Sequence, residues 1–129
     1  ALAKKEKTRE MLQDAIDVLN KFTESFNNED TEGMDSTLHF PHVFPGPNTV
    51  IWNEPGQLKK EFFDKLKSQG WAFSRYTKQE PIYESNTKIH FRVEYERCRS
   101  DESVINLQRA IWILTKKDEK WGIQIRSNE

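Results

Sequence analysis

The stretch Ile89-His90-Phe91-Arg92-Val93-Glu94-Tyr95-Glu96 alternates apolar and polar side chains at every step. A period of two puts Ile89, Phe91, Val93 and Tyr95 on one face of a strand and His90, Arg92, Glu94 and Glu96 on the other. This segment therefore belongs to a sheet with one dry and one wet face. Toward the C-terminus, Val104 to Thr115 is apolar on both sides, with Ile105, Leu107, Ile111 and Ile113 opposed to Ala110, Trp112 and Leu114. That is the pattern of a central strand covered on both faces, by helices on one and by a partner chain on the other. Trp121, Ile123 and Ile125 form the last strand, reached through Lys117-Asp118-Glu119-Lys120. Toward the N-terminus a further strand spans about Ala72 to Lys78, and the period of two stops at Gly70.

Before Gly70 the period is that of a helix. From Lys5 to Asn27, Leu12, Ala15, Ile16, Leu19, Phe22 and Phe26 recur at steps of three and four, with Met11 and Val18 widening the stripe. Asn27-Asn28-Glu29-Asp30 stops this helix and offers caps to a short second one, in which Met34 and Leu38 share a face. Pro41 ends that helix. After the turn-rich Phe44-Pro45-Gly46-Pro47, Thr49-Val50-Ile51-Trp52 reads as a short strand. A third helix starts at Asn53-Glu54-Pro55, carries Leu58, Phe62, Phe63 and Leu66 inward, and ends at Gly70. The predicted order is α-α-β-α-β-β-β-β, an α+β domain occupying residues 1–129, with no repeat, linker or low-complexity tract.

The chain's 129 residues make one domain. Leu, Ile, Val and Phe together supply thirty residues, enough for a core despite a mean hydropathy of −0.89. Twenty Lys and Arg stand against twenty-one Asp and Glu, a balance that provides no broad basic footprint for nucleic acid or an anionic membrane. No apolar run approaches the roughly 18 residues needed to span a bilayer. The single Cys98 excludes an internal disulfide and a multi-cysteine metal site and fits a reducing compartment. Ala1-Leu2-Ala3 lacks a signal-type apolar segment, from which we expect a cytoplasmic protein, and begins without Met, which fits either a processed or an engineered start.

Phe40-Pro41-His42-Val43, Trp52, Gly70-Trp71 with Ser74, Arg97-Cys98-Arg99, and Trp121-Gly122-Ile123-Gln124 with Arg126-Ser127 form a spaced set of words. In combination, over about residues 10 to 128, they resemble a group of uncharacterised SnoaL-like bacterial proteins of the NTF2-like superfamily. The resemblance implies a cone: three N-terminal helices on a strongly curved antiparallel or mixed sheet, an internal apolar pocket, and a homodimer assembled through the sheet. It implies no reaction, since one fold of this kind hosts isomerases, cyclases, hydrolases and plain binding modules. Phe44 stands where such relatives often carry Arg, and Ala72-Phe73 replaces a usual His-His. No catalytic set of the superfamily maps onto this chain, so no catalytic residue is carried over. The resemblance also makes Lys117–Lys120 a three-residue hairpin loop with a left-handed final position at Glu119, where glycine is usual; Glu102 likewise lacks an expected glycine.

The candidate ligand-binding residues are His42, Trp52, Trp71, Tyr95, Arg97 and Arg126. His42 follows a Pro-fixed turn at the expected pocket mouth, where an imidazole serves as base or ligand donor, or else satisfies backbone groups freed at the helix end. His39 lies three residues away, but two histidines without an acidic cluster are a weak metal signal, so we expect no metal and no cofactor. Arg97 shares a strand face with Val93 and Tyr95, where it clamps a carboxylate, pairs with an internal acid such as Glu80, or is exposed where the alternation runs out at the strand's end. Arg126 is either a pocket-floor or a surface cation, depending on hairpin register. Trp52, Trp71, Phe73, Tyr95 and Trp112 supply aromatic wall or core. Asp35 and Glu80 are the carboxylates nearest the expected walls, and Cys98 falls on the polar face as a surface thiol.

These residues fit a dimeric module that binds a small, mainly apolar molecule with an acidic or carbonyl end, held by His42 with Arg97 or Arg126. One alternative is an isomerase, cyclase or dehydratase in which His42 or a carboxylate moves a proton. The other is a structural subunit whose pocket is filled by its own side chains. A cavity below roughly 100 Å³ favours the last reading, ligand sites usually starting at about 300 Å³.

Overall fold

Helix α1, Leu2–Asn27, buries the predicted stripe, with Ala15, Leu19 and Phe22 almost inaccessible to water. The computed structural model describes Leu2–Glu129, so Ala1, and with it the expectation about how the chain begins, lies outside the described residues. The helix stops where Glu29 takes a left-handed φ of 53°. The Asp30 carboxylate then accepts from the Gly33 N–H at 3.0 Å and caps α2, Thr31–Asp35.

Here the structure departs from the sequence reading. Helix α2 has only five residues, and Leu38, expected on it, opens a strand, β1, Leu38–Phe44. Pro41, taken as a helix stop, sits inside β1, preceded by a cis Phe40-Pro41 bond. Proline lacks the N–H a ladder needs, and the pairing of β1 is interrupted there. Strand β2, Val50–Trp52, follows as expected and pairs antiparallel with β1. Helix α3, Lys60–Ser68, begins later than predicted, because Asn53–Lys59 stays non-helical: Gly56 has a φ of 87° and its N–H is bound by Asp35 at 3.0 Å. Phe63 and Leu66 are buried on α3, Phe62 is partly exposed, and Gly70 closes the segment at a φ of 95°.

The remaining strands are β3, Phe73–Glu84, β4, Lys88–Cys98, β5, Val104–Lys117, and β6, Lys120–Asn128. The six strands form one mixed sheet in the order β2-β1-β6-β5-β4-β3, parallel only between β1 and β6. Strand β3 is longer than predicted and tolerates Pro81 because it is an edge. The helices cover one face, and the core sits between: Phe22 packs edge-on against Trp112 at 5.5 Å, and the Tyr76 hydroxyl donates to the Leu19 carbonyl at 2.9 Å. Asn27, at the end of α1, exchanges two hydrogen bonds with the Ser74 backbone and fixes the start of β3.

On β5 only the Ala110, Trp112 and Leu114 side is fully buried; Ile105, Ile111 and Ile113 are half-buried and Leu107 is exposed. Two irregularities redirect side chains. Between the pairs Arg97↔Asn106 and Cys98↔Val104 the β4–β5 ladder slips by one residue, and simple alternation no longer assigns faces. Cys98 is fully buried there rather than on the surface. Between Ile113↔Ile125 and Leu114↔Ile123, Gln124 is an extra residue on β6. The loop joining β5 to β6 has two residues rather than three, with Lys117 paired to Lys120 and positive φ at both Asp118 (51°) and Glu119 (62°). Glu102 is also left-handed, at 71°. Among the described residues no helix is long and apolar enough to cross a membrane.

Candidate functional site

A cavity of about 280 Å³ lies between the helical layer and the inner face of the sheet. Seven of its fourteen lining residues are aromatic, among them Phe22 and Phe26 from α1, Phe44 from β1, Trp52 from β2 and Trp112 from β5. Two are arginines, Arg97 and Arg126, and no Asp, Glu or His lines it. Polar groups come from Thr23, Ser74, Tyr95 and Asn128. The Ser74 hydroxyl accepts from the Trp71 indole at 3.0 Å and the Asn128 carbonyl from the Trp112 indole at 2.9 Å.

Arg126 reaches this cavity because of the Gln124 bulge. Trp121 and Ile123 point inward; without the extra residue Ile125 would follow them and Arg126 would face out. With it, Ile125 turns outward and Arg126 lies buried, 8% exposed. The partner strand is irregular at the same level, since β1 uses five steps from Leu38 to Val43 against two from Ile123 to Ile125 on β6. Side chains fill the gap in the ladder. Gln124 Nε2 donates to the Pro41 carbonyl, and His42 Nδ1–H donates to the Ile123 carbonyl at 2.9 Å.

That last bond assigns the tautomer of His42. With Nδ1 carrying the proton, Nε2 is an acceptor, and it receives Arg126 Nε–H at 2.9 Å. His42 has no exposed surface. Burial, then the Arg126 charge, push its pKa down to about 3, so the ring is neutral at physiological pH. Around the guanidinium stand four aromatic rings, Phe44 at 4.7 Å, Phe22 at 4.8 Å, Trp52 at 5.7 Å and Trp112 at 5.8 Å. Burial lowers the Arg126 pKa to about 10, which leaves it a cation. Among the described residues no carboxylate lies beside it, its ionisable neighbours being Tyr95 and Tyr76, and its side-chain hydrogen bond is the one from Nε to His42. Arg97 is half-buried; its Nε is shut from solvent with no hydrogen-bond partner, and no acid lines the cavity beside it. Tyr95, two residues earlier on β4, contributes a phenol whose pKa burial raises and the two guanidiniums partly restore.

Of the six candidates named from sequence, four line the cavity: Trp52, Tyr95, Arg97 and Arg126. His42 and Trp71 do not. His42 stands one layer behind, under Arg126, because the irregular register aims its ring into the β1–β6 gap. Trp71 is a core residue, packed on Phe26 at 5.4 Å and Phe63 at 6.1 Å. Glu80 pairs with Arg92 on the outer face at 3.2 Å, not with Arg97, and Asp35 holds the Gly56 loop. His39 binds Thr115 at 2.9 Å away from the cavity. The helical stripe marked Phe22 and Phe26 only as core, and Thr23 and Asn128 carried no signal. Phe44 did carry one, as a departure from the resemblance, and it places a ring against Arg126.

No family model matches the chain, and no curated protein does. Solved structures do. An NTF2-like protein with a cystatin-like fold from Novosphingobium aromaticivorans is similar at a TM-score of 0.71 and 14% identity, over 98% of this chain and 86% of that one. A protein of unknown function with a cystatin-like fold from Nostoc punctiforme gives 0.69 and 16%, over 91% and 88%. A protein from Catenulispora acidiphila, solved in complex with S-DNPA, gives 0.69 and 13%, over 94% and 93%.

Proposed function

From the NTF2-like, cystatin-like fold of this chain and its two unpaired arginines, we infer that it binds a small, mainly apolar molecule with an acidic end. The observation that carries this is the cavity wall itself, which holds two cations and no acid. A buried cation without a counter-charge is costly to the apo protein, and an anion entering the cavity removes that cost. At about 280 Å³ the cavity is well above the size of a pocket filled by its own side chains and at the lower edge of ligand sites. The fold neighbour in complex with S-DNPA supports ligand binding on this scaffold.

The proton-transfer alternative has less support. His42 is neutral, has its lone pair occupied by Arg126 and stands behind the wall, and Asp35 and Glu80 are elsewhere. Membership of the SnoaL-like group, assembly as a dimer and a cytoplasmic location complete the proposal, the last in keeping with the lone thiol. Native mass spectrometry of the purified protein, paired with thermal melts against a mixed library of acids, amides and amines, tests it. The expected result is a bound small-molecule adduct, or stabilisation by members of the acid set. Melting points that none of the three classes raises, with no adduct, refute binding.

A further inference from the structure

The charge and shape of the wall specify the ligand more closely than a small molecule with a polar end. His42 accepts Arg126 Nε–H, so one edge of the guanidinium is used, and the donors that remain are on the two Nη atoms. Two parallel N–H groups on a planar fork match the two oxygens of a carboxylate. Arg97 and the Tyr95 hydroxyl belong to the same wall, and both guanidiniums lie near enough to Tyr95 to act on its phenol. The apolar part of the wall is chiefly aromatic, with Met34 and Leu58 its only aliphatic side chains. Rings of this kind favour edge-to-face and offset contact with another flat ring. At about 280 Å³ the cavity stands at the lower edge of ligand sites, a size that suits one ring with a short substituent.

Resting on the binding function above, we propose that the ligand is a compact aromatic carboxylate. Its carboxylate sits on the Nη edge of Arg126 beside Arg97 and the Tyr95 hydroxyl, and its ring lies among Trp52, Trp112 and Phe44. Isothermal titration of the full chain with benzoate, trans-cinnamate, benzamide, hexanoate and benzylamine, at one pH and salt concentration, tests this. We expect benzoate or cinnamate to bind one per chain, at least tenfold tighter than benzamide and hexanoate, with no heat from benzylamine. Arg126→Gln should cost the aromatic acids at least tenfold and leave benzamide within about twofold. Arg97→Gln should act in the same direction.

Benzamide binding as tightly as benzoate overturns the carboxylate and leaves the binding function standing. Hexanoate matching benzoate overturns the aromatic ring and leaves an acid site. Failure of both benzoate and cinnamate overturns the proposed class, while the binding function falls only if the wider library also fails. The ligand comparison uses the unaltered chain, so the proposal stays falsifiable if an arginine variant does not fold.

Discussion

Arg126 and His42 form a unit in which each determines the other's state. The imidazole is neutral because it is buried and faces a cation, and it holds the guanidinium by Nε at the cavity wall. A histidine whose folded pKa lies below the unfolded value near 6.5 binds a proton more readily in the unfolded chain. Stability from this group is therefore complete above pH 6.5 and falls as the pH drops toward about 3. By pH 5 the loss from His42 is about 2 kcal/mol. Urea unfolding at pH 7 and pH 5 should show this loss in the unaltered chain and a smaller one in His42→Gln. Equal losses would mean that His42 is not held neutral. His39 and His90, also lowered chiefly by burial, act in the same direction in both proteins and cancel in the difference. His42→Ala strips Arg126 Nε of its acceptor and opens a void, and should cost about 2–4 kcal/mol in the same assay. Sequence placed His42 near the site but not its role, because the role depends on a ring nitrogen's partner 84 residues away.

At the level of elements, alternation identified β4 and β6 and helical spacing identified α1, since each has one face against a single core, while β5 was legible as a run apolar on both sides. Strand β1 was not legible. Its residues follow a capped helical turn and include a proline, and its pairing rests on Gln124 and His42 side chains where backbone bonds are missing. The Gln124 bulge was likewise invisible, and with it the face of Arg126, because an inserted residue leaves no trace in a pattern of apolar positions. The β5–β6 loop was read one residue too long, though Glu119 is left-handed as expected. Positive φ at both Asp118 and Glu119 is the pattern of a type I′ turn, which favours Asn-Gly. Glu119→Gly should stabilise by a few tenths up to about 1 kcal/mol, the relief of strain exceeding the added unfolded entropy. The Lys116–Glu119 contact it removes is on a highly exposed side chain and counts little. A lower urea midpoint in the variant would contradict this. Gly122 three residues on has the opposite requirement: a Cβ there would meet the His39 ring at 2.5 Å. Gly122→Ala should therefore cost about 1–3 kcal/mol by the same measurement.

For the molecule as a whole, the outer face of the sheet divides in two. Over β3, β4 and the first half of β5 it carries ion pairs, Arg75 with Glu96, Lys78 and Arg109 with Glu94, and Arg92 with Glu80. Across β5, β6 and β1 an apolar row runs through Ile113, Ile125 and Val43, all half-buried in the single chain. We propose that this row is the centre of the dimer contact. Light scattering at micromolar concentration should then give twice 15.3 kDa, and Ile113→Lys should give 15.3 kDa with its helical signal intact. A monomer in the unaltered protein would remove the proposal. On the inner face, two arginines without acids line the cavity, and we propose that they make it an anion site. The most direct test is a crystal structure with 4-bromobenzoate, whose bromine is located by anomalous scattering. We predict a carboxylate within hydrogen-bond distance of Arg126 Nη and a bromine peak on the side of the cavity away from it. A reversed molecule, with bromine against the guanidinium, or one bound only outside the cavity, would contradict it.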